Sequence, residues 1–83
     1  MILPRDALVA PSFREHAAEL SREEQLALDD LIWSILQKPV DENFQGVRGV
    51  VGDGFAVFYE VDDHLIAQVT AFRRWPPPYP PMM

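Results

Sequence analysis

Leu28, Leu31, Ile32, Ile35 and Leu36 stand at i, i+3, i+4, i+7 and i+8, a spacing that one face of an α-helix gathers into a stripe. Leu26 and Trp33 flank it. Such a stripe needs a second apolar surface to bury against, and the chain supplies one with a different period. From Gly46 onward apolar residues recur at every second position, and the composition turns to Val, Phe and Tyr, which suit a pleated surface. Val47–Val51 reads as a short strand and Gly52-Asp53-Gly54 as a turn. Phe55–Val61 follows as a strand with Phe55, Val57, Tyr59 and Val61 on one face. Asp62-Asp63-His64 turns the chain into Leu65–Phe72, where Leu65, Ala67, Val69 and Ala71 form the apolar side and Gln68 and Thr70 the other. The pattern predicts that Leu28, Leu31, Ile32, Trp33 and Ile35 pack on Val57, Tyr59, Leu65 and Val69.

The helix boundaries are also marked. Ser21 with Glu24 three residues on is a capping box, and Pro39 ends the helix that begins there. Acids lie toward its N-terminal half and Lys38 at its end, as the helix dipole favours; Glu23, Glu24, Asp29 and Asp30 read as a solvated face. Ser12 with Glu15 repeats the box for a shorter helix bearing Phe13, Ala17 and Leu20. Ala7–Ala10 is a candidate edge strand between Pro4 and Pro11. The fold class expected is α+β: a two-helix hairpin packed on a three- to four-stranded antiparallel sheet. Eighty-three residues suffice for one core, assigned to residues 1–74, followed by a tail over 75–83 whose five prolines favour an extended chain.

Seven basic residues against thirteen acidic ones give a net charge of −6, so the chain as a whole repels polyanions. Positive charge in excess is confined to residues 64–83, where Arg73 and Arg74 meet no acid. The absence of cysteine excludes disulfides, a thiolate zinc site and a cysteine nucleophile, and suits a reducing compartment. With no apolar run of membrane-spanning length and an early Arg5-Asp6 in place of a signal sequence, the expectation is a cytoplasmic protein. His16 and His64 have no partner at ligand spacing, so neither a metal nor another cofactor is expected.

The order strand, two helices, three-stranded meander ending in arginine resembles the RelE/ParE superfamily of type II toxin–antitoxin toxins, from about Asp6 to Arg74. The resemblance rests on Ala7-Leu8-Val9-Ala10-Pro11 entering a helix and on Ile35-Leu36-Gln37-Lys38-Pro39 leaving one. It continues in Gly52-Asp53-Gly54 leading to Tyr59-Glu60-Val61, and in the acidic turn Asp62-Asp63 before a strand that runs into Arg73. It implies a toxin neutralised by a cognate antitoxin and acting on mRNA at the ribosome or on a DNA topoisomerase, with a homodimer as a further possible state. Two departures stand out: Ala56 occupies the place where ribonuclease members carry arginine, and the chain is acidic where they are basic.

Cleaving RNA through its own 2′-OH needs a proton acceptor, a proton donor and positive charge on the phosphate. The resemblance assigns the catalytic roles to Arg73, Arg74 and Tyr79 and RNA contact to Arg48, Arg73 and Arg74, and Trp75, an aromatic next to arginine, adds the base stacking that single-stranded RNA recognition uses. The opposing readings are equally concrete. Either arginine can pair with Glu60 or Asp62 across the sheet, Trp75 can cover the core edge, and Tyr59 shares parity with core residues. Two functions of different class follow: a toxin whose endoribonuclease activity is weakened or lost, and a non-catalytic protein-association module of the same fold.

Overall fold

The structure, a computed structural model, describes residues 2–41, 46–52 and 54–76. Its elements run β1 (Asp6–Val9), α1 (Pro11–Ala17), α2 (Arg22–Ile35), β2 (Arg48–Val51), β3 (Gly54–Val61) and β4 (Ile66–Trp75). The strands form one sheet in the order β1-β4-β3-β2. The α+β class with two helices on the sheet is what the two apolar periods imply. The sheet itself is mixed and not antiparallel, because β1 pairs with β4 in parallel, Ala7 opposite Ala67 and Val9 opposite Val69. The physical reason is the connection. Tight turns force β2, β3 and β4 to alternate, whereas β1 leaves the sheet through both helices and is free to run alongside β4.

The capping box at Ser21 forms in full: the Glu24 N–H donates to Ser21 Oγ at 3.2 Å and the Ser21 N–H to Glu24 Oε1 at 3.1 Å. The box expected at Ser12 does not. There Ala10 is the N-cap and Pro11 the first helical residue, whose fixed φ and missing N–H already suit that position. At the far end α2 tightens, with the N–H groups of Leu36, Gln37 and Lys38 bonded three residues back, before Pro39 stops it. Val40 then exchanges backbone hydrogen bonds with Ile2, which ties the N-terminal segment beneath the helix end.

Leu28, Leu31 and Ile35 enter the core with Phe13, Val50, Phe55, Val57, Tyr59, Ala67 and Val69. Trp33 and Leu65 do not. Trp33 is 69% exposed on the outer side of α2, and half-buried Leu65 occupies the turn before β4 with φ of 63°. That turn is organised by Asp62, whose carboxylate accepts from the N–H groups of His64 and Ile66 and from Gln68 Nε2. Gly52 lets α2 approach the sheet closely, since a Cβ there would stand 2.5 Å from Leu31 Cδ2 and 3.1 Å from its Cγ.

A second difference from the simple alternation lies in β4. Tyr59 faces Val69 but Phe58 faces Ala71, so Thr70 is an extra residue at a β-bulge. The bulge reverses the parity beyond it. Phe72, and not Ala71, turns toward the helices, where its ring meets Phe13 at 4.8 Å and Phe55 at 5.9 Å in edge-to-face contacts. Ala71 is exposed.

Candidate functional site

The bulge also decides where the arginines go. Arg74 stands opposite Phe55 on the helix-covered face, and Arg73 opposite Ala56 on the other. Both belong to β4, which continues through Trp75. On the helix side, Arg74 Nη1 meets Glu24 Oε2 at 2.7 Å, and its guanidinium lies 5.5 Å from the centre of the Phe55 ring. Its partner is thus an acid at the start of α2 and not Glu60 or Asp62. Glu24 caps the helix and holds Arg74 at once, and the hydrogen bonds from Arg74 and from the Ser21 N–H pull its carboxyl below its ordinary value of 4.5.

This arrangement has a pH consequence. A lowered pKa means that Glu24 contributes stability above its unfolded value of 4.5 and loses it as pH falls through the folded value. Glu24→Gln retains a side chain able to cap the helix but removes the charge. Thermal melts should therefore show the variant below the parent at pH 7, with the gap closing in acid. A gap of constant size from pH 7 to pH 3 would deny the charge its role.

Arg48 lies on β2 opposite Tyr59, on the helix-covered face but at the other end of the sheet. Lys38, just past α2, joins them around a cleft of about 340 Å³ that Pro39, Gly49, Val50 and Val51 complete. Burial raises the Tyr59 phenol above its ordinary 10.0, against the opposing effect of nearby Arg48, so it stays protonated at neutral pH. The rows of Arg48 and Arg74 are four residues apart along β3, about 13 Å at strand rise, and β3 itself lies between their strands. One phosphate cannot span both.

The proposed catalytic and RNA-contact residues are therefore distributed over the molecule. Arg74 is bound to α2, Arg73 is exposed on the helix-free face, and Arg48 is half-buried at the opposite end. Trp75 is 39% exposed at the last position of β4. Tyr79 lies outside the described residues. Ala56 is only 1% exposed between Val51 on one neighbouring strand and Arg73 on the other.

A larger concavity than this cleft lies elsewhere. A groove of about 400 Å³ opens between α1 and α2, with Phe13, Ala17, Leu28 and Ile32 in its wall and Arg14 and Asp29 at its rim. Trp33 stands beside it, and a smaller hollow of about 190 Å³ on the other side reaches Ala7 of β1. The signal was legible: Leu26 and Trp33 are seven residues apart and off the core stripe, a second and outward apolar face. Among the described residues no helix is long and apolar enough to cross a membrane. Comparisons with protein families, curated proteins and solved structures gave no match.

Proposed function

We propose that this chain is a RelE/ParE-like toxin-type component that acts by protein association and has little or no endoribonuclease activity. The observation that carries this reading is the dispersal of its cations. Phosphodiester cleavage needs positive charge and proton-transfer groups converging on one phosphate, because positioning supplies much of the rate. Arg73 and Arg74 point to opposite faces, Arg74 is engaged by Glu24, and Arg48 lies at the other end of the sheet. Losing one transition-state donor of the kind that Ala56 replaces typically lowers a rate about 10²–10³-fold.

The exposed groove favours association. Trp, with Tyr and Arg, is enriched among the residues that dominate binding at protein interfaces, and Trp33 stands between two hollows with apolar walls. An antitoxin-like protein contributing an apolar segment to this groove is the partner that the reading implies.

Expression of the chain alone in bacteria tests it. Growth should continue, and primer extension should find no new mRNA ends. Growth arrest with mapped cleavage that disappears in the Arg73→Ala, Arg74→Ala double variant would instead establish the endoribonuclease.

A further inference from the structure

Both helices pack on the same face of the sheet, and the molecule is only 19 Å across its thinnest direction, as a two-layer slab should be. Strand alternation and register assign the residues of the other face. Asp6 and Leu8 come from β1, Ile66, Gln68, Ala71, Arg73 and Trp75 from β4, Glu60, Phe58 and Ala56 from β3, and Gly49 and Val51 from β2. The middle of this face is apolar. Its central row is Ala71, Phe58 and Gly49, with the Phe58 ring over Gly49, 3.4 Å from where a Cβ would stand, while Leu8, in the row of Gln68 and Glu60, and Val51, in the row of Ala56 and Arg73, are each 54% exposed.

Its charges are segregated along the strands. Asp6 and Glu60 lie toward the end where β3 turns into β4, and Arg73 lies toward the opposite end. A two-fold axis in the plane of the sheet and perpendicular to the strands reverses the ends while keeping each strand over its counterpart. Arg73 on β4 of one copy then comes over the start of β4 of the other. Asp6 on β1 and Glu60 on β3 flank that strand on either side. The face is complementary to itself under that one operation, which brings opposite charges together at both ends and the apolar middles into contact.

We infer that this face binds a second copy of the chain, sheet on sheet, in a two-fold symmetric dimer. Two such sheets pack about 10 Å apart with their strands inclined by about 30°. Strands of 4, 4, 8 and 10 residues, at about 3.3 Å per residue and 4.8 Å between strands, present about 400 Å² of projected face. Side-chain relief adds to that, yet the interface stays toward the low end of specific ones, so the dimer is reversible, with a dissociation constant in the micromolar range. The dimer does not depend on the functional reading given above and leaves the α1–α2 groove open.

Sedimentation equilibrium of the full chain from about 5 to 500 μM tests it, the range being set to bracket a micromolar constant. The parent should pass from monomer to dimer. Leu8→Lys, beside the place that receives Arg73 of the second copy, and Val51→Glu, on the opposite edge, both at exposed positions, should each be monomeric throughout while keeping the parent's circular dichroism and urea midpoint. Arg73→Glu should weaken the dimer about tenfold, and adding Glu60→Arg should restore it, since a charge exchanged on both sides of a two-fold contact is again complementary. A parent that is monomeric at 500 μM would overturn the inference. So would a dimer that survives both edge variants, or one lost on Trp33→Ala but not on Leu8→Lys, which would put the contact on the helix layer. A charge exchange that fails to restore the Arg73→Glu dimer would overturn the symmetry assigned here.

Discussion

Leu28→Ala is expected to lower the unfolding free energy by about 2–5 kcal/mol, the range for truncating a buried leucine. Leu28 is 1% exposed beneath α2, among the largest fully buried side chains of the core. A domain of this size has about 4–12 kcal/mol in all, so the variant should be partly unfolded at 37 °C. Trp33→Ala, five residues along the same helix, should stay within about 0.5 kcal/mol of the parent because its ring is mostly in water. Urea unfolding followed by far-ultraviolet circular dichroism measures both. Equal midpoints for Leu28→Ala and the parent would show that the buried face of α2 has been wrongly assigned.

Phe72→Ala should cost nearly as much, about 3 kcal/mol, although simple alternation along β4 makes Phe72 an outward residue. The ring joins Phe13 of α1 to Phe55 of β3, so its removal loosens the shorter helix from the sheet as well as opening a void. Ala71→Ser, at the position that alternation turns inward, should change stability by less than about 0.5 kcal/mol. The pair of urea midpoints measures the parity reversal at Thr70. Comparable losses in the two variants would argue that the bulge is absent in solution.

These two cases separate what the sequence encodes locally from what it does not. The helix stripe, the capping box at Ser21, the stop at Pro39 and the alternation through Phe55–Val61 are local patterns, and each appears in the structure close to where the pattern puts it. The bulge at Thr70 carries no glycine or other local mark, and one extra residue reverses every side chain after it. The parallel pairing of β1 was equally hidden. It depends on how the helix pair returns the chain to the sheet and not on the composition of Ala7–Ala10. Trp33 is large and apolar, yet its helical position faces outward, and position determines burial.

The candidate site was less legible than the fold. Adjacent basic residues in a sequence suggest one cluster, but on a strand neighbours face opposite ways, so Arg73 and Arg74 cannot share a phosphate from the same side. The engagement of Arg74 by Glu24 is a contact across fifty residues that no spacing rule reveals. Arg48, Lys38 and Tyr59 meet only because β2 returns beside the end of α2.

The most direct test is a cleavage assay with the purified chain and a labelled mRNA, free and bound to ribosomes, with products mapped to the nucleotide. A protein that works by association should give no cut above the level seen without it, at any concentration that saturates the ribosomes. Cuts at defined positions, lost on Arg73→Ala with the fold intact, would contradict the proposed function.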